Sequence, residues 1–563
     1  MKMNGGELVV RTLETLGVRT IFGVPGGQTL TITDATLDSP TVSFVAARHE
    51  NAAAVMADAT GRLTGVPGVC LATTGPGATN LLTGVGGAMR DSSPVIVLTC
   101  NNRLPDIERD DAQNADHVRI FRPLVKHTFF VADPLTIPRV LADAARRATS
   151  GNPGPVLVDL ARSALEAEID VDAAAEGPRG ASTVGDHRPV PASRELAAAV
   201  DALRSSERTV IWVGNGVQLS GAEEEALALA EWLDAPVITT FNSIGAVPSG
   251  HPNAFGPLTR MGTRLSAEVL RGADLVVALG KSMNAISTAR WSMPMPPTII
   301  QVDVNPETVG RNYPGRTLPI VGDVRETLRA VLPMLEHPAE DVRTSRRERL
   351  KTLSSLRSAW WAEVRATIDP SRTPASPVDI VLETRRGAPD DTVTFVDAGN
   401  PGVWAYLWEI RTVRSFHKPV GFGNMGFALP AAVASVVTDP DRPAVVLIGD
   451  GSLGMSLGEI ETLARVGGRV CVVVMNDSGY GNIRQEQTVF HGADRHVGVD
   501  FLEVDFALVA RGLGVRSHRT DRVEGLADLV AELLNDGGGP ALIDVVMDPI
   551  ESAWTYEPFR IKP

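Results

Sequence analysis

Short runs rich in Val, Ile and Leu recur along this chain, and almost every one is followed by a stretch with helical spacing. A strand buried on both faces of a parallel sheet reads as a continuous apolar run, and its crossover to the next strand takes a helix. The alternation therefore predicts an α/β fold built on doubly wound parallel sheets. It occurs in three series. The first, over 1–165, carries TIFGVPGG, VSFVAARHE, VCLATTGPG, VIVLTC and PVLVDLA. The second, over 190–335, carries TVIWVGNG, APVITT, ADLVVALG and TIIQVDV. The third, over 372–550, carries TVTFVDAG, AVVLIGDG, RVCVVVMND and PALIDVVMD. Residues 166–192 lose the pattern and read as a linker; 338–376 are charge-rich and read as a partly helical connector. Three units in 563 residues agree with single cores that stop growing at roughly 250–300 residues. Units one and three share a plan at low resolution, without any short-period repeat.

Composition removes several function classes. Lys plus Arg number 53 against 67 Asp plus Glu, a formal charge of −14 that repels nucleic-acid phosphate. Cys70, Cys100 and Cys471 each sit in an apolar run, which predicts buried thiols and no disulfide framework or zinc cluster. The N-terminus reads as an amphipathic helix with Leu8, Val9, Leu13 and Leu16 on one face, not as a signal peptide. No stretch approaches the roughly 18 apolar residues of a membrane span, so a cytoplasmic protein without membrane partners is expected. The 53 Gly and 39 Pro call for many turns and for places where the backbone comes close to something.

The most specific pattern lies in the third unit. One apolar run ends in Gly449-Asp450-Gly451-Ser452, a helical stretch follows, and a second run ends in Asn476-Asp477-Ser478-Gly479. The spacing places both clusters at the carboxyl ends of neighbouring parallel strands, where open α/β sheets bind ligands. Asp477 lies 27 positions after Asp450, and the two carboxylates can converge on one hard cation. Gly451 and Ser452 can offer N–H and O–H groups to a phosphate at a helix start. A GDG triplet alone is an ordinary turn; the second cluster at this distance makes it a site.

The arrangement resembles the thiamine diphosphate (ThDP) binding motif of the acetohydroxyacid (acetolactate) synthase and benzoylformate decarboxylase family. The resemblance implies a Mg²⁺ ion held by Asp450, Asp477 and the carbonyl of Gly479, gripping the cofactor diphosphate. Tyr480 and Gly481 complete the motif. Asp477 stands where the family has Asn, which adds a negative charge and keeps an oxygen ligand suited to Mg²⁺. In unit one, Arg48-His49-Glu50-Asn51 enters an alanine-rich helix. By resemblance Glu50 is the essential glutamate that hydrogen-bonds the aminopyrimidine N1′, a task suited to a carboxyl with a raised pKa. FGVPGG (22–27), ATTGPGATNL (72–81) and QNADHVRIFRPLVKHTF (113–129) are similar to synthase segments; the last contributes an active-site glutamine, here Gln113. In GFGNMGFALPAA (421–432), Gly423 would offer its carbonyl to the 4′-amino group, and Met425 would wedge between the cofactor rings. DAGNPG (397–402), with Gly399 and Asn400, occupies the diphosphate turn. The family builds each site between two subunits, which implies a homodimer or homotetramer.

The remaining question is the reaction. Thr73 occupies the position of a histidine that serves decarboxylases as proton donor, and Gly27 that of a serine in arylformate decarboxylases. Both match the synthase pattern, and a site without a proton donor favours carboligation over simple decarboxylation. The expected activity is therefore transfer of an acyl anion equivalent from a 2-oxo acid, pyruvate first, to a carbonyl acceptor. A 2-oxo acid decarboxylase or 2-hydroxyacyl lyase is the alternative, and a non-catalytic paralogue a third reading. The chain departs from the synthases at Glu486, where a tryptophan shapes the acceptor pocket. It departs again at Ser282-Met283-Asn284-Ala285, in place of an element that supplies an acceptor-binding arginine and contacts to FAD. The acceptor is therefore unassigned, with Glu486 and Gln113 as its pocket residues, and FAD binding stays open.

Overall fold

The computed structural model describes residues 2–109, 111–170, 188–259, 262–336 and 338–560. Three six-stranded parallel sheets, each flanked by helices, carry the fold. The first has the spatial order Ser43–Ala46, Thr20–Gly23, Gly68–Ala72, Val95–Asn101, Pro155–Ala161, His127–Val131. The third runs Phe416–His417, Val393–Val396, Ala444–Gly449, Val470–Asn476, Ala541–Val546, Arg516–Thr520. Counted along the chain within each unit, both sheets have the order 2-1-3-4-6-5, so the shared plan of units one and three is the same topology. The central sheet differs. Its order is Ala254–Pro257, Val237–Thr239, Thr209–Val213, Leu275–Leu279, Thr298–Asp303, Thr317–Val321, or 3-2-1-4-5-6, the order of dinucleotide-binding folds.

The apolar runs become interior strands because both faces are covered. Val445, Val446, Leu447, Val473 and Val474 are fully buried, in unbroken register from Ala444 opposite Val470 to Gly449 opposite Met475. Five strands escape the sequence pattern: His127–Val131, Ala254–Pro257, Thr317–Val321, Phe416–His417 and Arg516–Thr520. All five are sheet edges. An edge strand has one neighbour and part of its surface in solvent, so it needs no continuous apolar run. Cys70, Cys100 and Cys471 are buried free thiols on strands, as expected. Burial pushes the Cys70 and Cys471 thiols up to about 12.

At the N-terminus, Asn4 and Glu7 form a capping box for the helix Gly5–Thr15, which buries Leu8, Val9 and Leu13. Leu16 falls outside that helix, at its C-cap. Glu168–Asp170, read as linker, instead pairs antiparallel with Lys2–Asn4; 171–187 lie outside the described residues. The 338–376 connector contains a long helix, Glu340–Arg365, anchored by buried Leu353, Trp360 and Val364. No helix among the described residues is long and apolar enough to cross a membrane.

Two features lock units one and three together. Helix Glu50–Thr64 packs on helix Ala428–Thr438, and their alanines belong to one hydrophobic cluster. Small side chains let the two helices approach closely. The second feature is Asp91, whose carboxylate is fully buried. It accepts from Arg62 Nη2 at 3.0 Å, from the Gly421 backbone nitrogen at 2.7 Å and from Asn242 Nδ2 at 2.8 Å. One carboxylate thus ties all three units at the start of the 421–425 turn.

Candidate active site

The strand Ala444–Gly449 delivers Asp450 to the first position of a short helix, with Gly451 and buried Ser452 behind it and Gly449 at the N-cap. The neighbouring strand Val470–Asn476 delivers Asp477. Ser478 then turns the chain at φ +52°, and its N–H donates to Asn476 Oδ1 at 3.2 Å. The turn aims the Gly479 N–H at Asp450 Oδ2, 2.9 Å away. Burial holds the Asp450 carboxyl above its usual range, and burial together with Asp450 pushes Asp477 up to about 7. Two buried like charges facing each other are costly unless a cation joins them. The nearest fixed cation is Arg484, with Nη1 at 3.8 Å from Asp477 Oδ2; its Nε is committed to Asp500 at 2.9 Å.

Gly481 is required here: a Cβ on it would lie 1.7 Å from Asp477 Oδ2 and 2.8 Å from Asn400 Nδ2. Asn400 follows Gly399, in the left-handed region at φ +86°, and opens the short helix Asn400–Trp404. It is buried, and both its amide nitrogen and amide oxygen lack a partner. Buried orphans of this kind leave hydrogen-bonding capacity free for a bound group. Two facing carboxylates, an orphaned amide and the Gly479 backbone form a donor set that fits a divalent cation carrying a diphosphate. Among the described residues no three His, Cys, Asp or Glu side chains cluster as a metal site. A pair of carboxylates completed by a carbonyl is a different arrangement. Tyr480 lays its ring against Gly451 and meets Phe501 edge-on at 4.7 Å.

Gly423 and Met425 lie on the loop before helix Ala428–Thr438, Gly423 exposed at φ +72° and Met425 half-buried. Asp397, which the sequence reading passed over, fixes this loop. Its fully buried carboxylate accepts from Gly426 N at 3.0 Å and Ala428 N at 2.8 Å. Ser452 also hydrogen-bonds Asp397, so its hydroxyl is turned toward that carboxylate, leaving its backbone N–H for the phosphate role expected of it.

A second group gathers in unit one. Glu50 begins the helix Glu50–Thr64, behind His49, whose Nδ1 caps it by accepting from Asn51 N at 3.0 Å. Glu50 Oε2 accepts from Asn80 Nδ2 at 2.9 Å. A Cβ on Gly77 would lie 2.8 Å from Thr73 Cγ2 and 3.4 Å from Glu50 Oε1, so this glycine sits between the two. Thr73 Oγ1 donates to Gln28 Oε1 at 2.5 Å, and Gln28 Nε2 donates to Asn102 Oδ1 at 3.2 Å. Gln113 is exposed at φ +61°, and Gly27 is exposed with open space beside it. Gln28 and Asn80 were missed as site neighbours, although Gln28 follows FGVPGG directly and Asn80 lies within ATTGPGATNL. Among the described residues no hydrogen bond or ion pair joins this group to the Asp450 group within one chain. Glu486 is half-buried on helix Gly481–His491, away from any ion pair among the described residues.

A cavity of about 1620 Å³ opens beside the carboxyl ends of the central strands. Gly214, Lys281, Asp303 and Arg311 line it, as do Ser282 and Asn284 of the segment that departs from the synthases. Its lining mixes acidic and basic side chains and does not single out a ligand, so FAD stays open.

Three family models match the chain: the N-terminal TPP binding domain of thiamine pyrophosphate enzymes over 3–120, their central domain over 196–331 and their C-terminal TPP binding domain over 397–545. A probable acetolactate synthase large subunit of Methanocaldococcus jannaschii is 33% identical over 98% of this chain and 93% of its own. An acetolactate synthase of Mycobacterium bovis is 33% identical over 98% and 89%. Acetolactate synthase isozyme 1 large subunit of Escherichia coli is 29% identical over 99% and 96%. The chain belongs to the thiamine pyrophosphate enzymes, as a ThDP-dependent enzyme of the acetolactate synthase type.

Proposed function

We propose that this enzyme is a cytoplasmic, Mg²⁺-dependent carboligase that decarboxylates a 2-oxo acid, pyruvate first, and joins the remaining acyl unit to a carbonyl acceptor. Asp450, Asp477 and the Gly479 carbonyl would hold the ion. Asn400, Gly399, Gly449, Gly451, Ser452, Tyr480 and Gly481 would surround the diphosphate; Gly423 and Met425 would meet the rings. Bound ThDP supplies the nucleophilic carbon and accepts the electron pair released with CO₂. Glu50 would hold a proton at the aminopyrimidine, steadied by Asn80. A homodimer or homotetramer with sites shared between subunits, as the family resemblance implies, is part of this reading.

The observation that carries carboligation is the chemistry around Thr73. The side chains in contact there are a hydroxyl and two neutral amides, Gln28 and Asn102. The nearby imidazole, His117, has both nitrogens engaged in the interior. Glu50, across Gly77, is the acid near Thr73, and this reading commits it to the aminopyrimidine; with no second acid there among the described residues, the acyl anion equivalent persists until an acceptor arrives. Glu486 and Gln113 would face that acceptor. The test supplies purified protein with ThDP, Mg²⁺, pyruvate and a panel of aldehydes and ketones, and analyses products by mass spectrometry. Release of CO₂ with a new C–C bond is expected. Free acetaldehyde as sole product, whatever acceptor is offered, overturns the proposal.

A further inference from the structure

The segment that bears Gln113 also carries His117, which forms with Asp159 of the strand Pro155–Ala161 a buried pair that the proposed reaction does not use. His117 and Asp159 are each 1% exposed, with His117 Nδ1 at 2.8 Å from Asp159 Oδ1. On the other side of the ring, Nε2 lies 3.0 Å from the backbone nitrogen of Gly75. A backbone N–H only donates, so Nε2 accepts and the ring proton sits on Nδ1, where it donates to Asp159. Asp159 is held in turn by Thr99 Oγ1 at 2.7 Å and Asn101 Nδ2 at 2.9 Å.

What the imidazole holds is the turn beneath Glu50. Gly75 sits at φ +62°, and a Cβ there would lie 2.3 Å from the Gln113 carbonyl oxygen, so this turn and Gln113 interlock. Thr74 Oγ1 adds a bond to the same carbonyl at 3.3 Å. Gly75 is the N-cap of helix Pro76–Asn80, which places Gly77 so that a Cβ there would lie 3.4 Å from Glu50 Oε1, and donates from Asn80 to Glu50 Oε2. Among the described residues Asn80 is the one side chain that hydrogen-bonds Glu50. The contacts run without a gap from Asp159 through His117 and the Gly75–Asn80 turn to the glutamate.

We infer that His117 is a positioning residue: a neutral imidazole, its tautomer fixed by Asp159, sets the Gly75–Asn80 turn and thereby the placement of Glu50 and Gln113. The inference rests on the role proposed for Glu50. Replacing the ring by phenylalanine keeps its shape and leaves the Gly75 N–H unpaired. A glutamine there can accept from Gly75 with its oxygen and donate to Asp159 with its nitrogen.

The experiment measures hydrogen–deuterium exchange at C2 of ThDP bound to the full-length enzyme with Mg²⁺, by acid quench and NMR, for wild type, His117→Phe, His117→Gln and Glu50→Gln. ThDP affinity is measured in parallel by fluorescence titration. His117→Phe should slow exchange by about tenfold or more at saturating ThDP, with ThDP affinity little changed, because small misplacements at a reacting centre cost rates of this order. His117→Gln should recover most of the rate. Wild-type exchange in His117→Phe, with Glu50→Gln slow, overturns the inference alone; wild-type exchange in Glu50→Gln overturns the Glu50 reading. A loss of ThDP affinity matching the loss of exchange reduces His117 to a packing role and also overturns it. Should His117→Phe not fold, Asp159→Asn, which places an amide where the ring proton and Asn101 need acceptors, takes its place with the same outcomes.

Discussion

Asn400 allows the cofactor site to be tested through stability alone. Its side chain is 6% exposed, and neither amide atom has a partner. A buried polar group left unpaired costs about 1–3 kcal/mol. Asn400→Ala removes both orphans and forfeits about 1 kcal/mol of packing from the small group deleted. Without ligand the variant should therefore match wild type or exceed it by up to about 2 kcal/mol. With ThDP and Mg²⁺ the order should reverse. At a hundred times its dissociation constant a ligand stabilises by about 2.7 kcal/mol. Loss of one charge-assisted bond, worth about 1.5–3 kcal/mol, forfeits most of that gain in the variant. Urea denaturation followed by tryptophan fluorescence, with and without ThDP and Mg²⁺, gives both comparisons. Two midpoint curves that cross are expected. A variant that is weaker without ligand, yet gains as much from ThDP as wild type does, would show that these atoms are not waiting for the diphosphate.

Two further perturbations follow from buried carboxylates. Burial and Asp450 raise the folded-state pKa of Asp477 to about 7, above its unfolded value of 3.8. Its contribution to stability is thus present at low pH and lost as pH rises through about 7. In EDTA, wild type should lose more thermal stability than Asp477→Asn between about pH 5 and about pH 8, and Mg²⁺ should remove the difference. Equal pH slopes in EDTA would refute this. Asp91→Ala strips acceptors from the Gly421 and Asn242 donors and leaves Arg62 with Asp58 and the Lys418 carbonyl. A cost of about 3–5 kcal/mol is expected, and an unchanged denaturation midpoint would contradict the role of Asp91 as the junction of three units.

How far the sequence speaks depends on whether a residue's environment is periodic or singular. Interior strands were legible because burial on two faces forces every position apolar; the edge strand Arg516–Thr520, with the sequence RSHRT, obeys no such demand. Site residues at strand ends were legible because a parallel sheet fixes where strands stop. Asp450 could therefore be placed by spacing, Glu50 only through the family resemblance, and the structure puts each in the first turn of a helix. Partners made by folding leave no such trace. Asp397 reaches Gly426 and Ala428 across some thirty residues of sequence, and Asp159 reaches His117 across forty-two.

Asp477 shows the limit most closely. As a substitution it announces one extra negative charge, and nothing local says what balances it. Arg484 is seven positions on, which on a continuous helix would mean two turns away on the same face. The helix begins only at Gly481, however, after Ser478 has turned the chain at φ +52°. That turn, not helical spacing, brings the guanidinium to 3.3–3.4 Å from the Asp477 and Ser478 carbonyls and 3.8 Å from the Asp477 carboxylate. At 3.8 Å, with Nε already bound to Asp500, Arg484 offsets the added charge without neutralising it. The carboxylate pair is left short of positive charge, so on the proposed reading Asp in place of Asn would strengthen the demand for a metal ion.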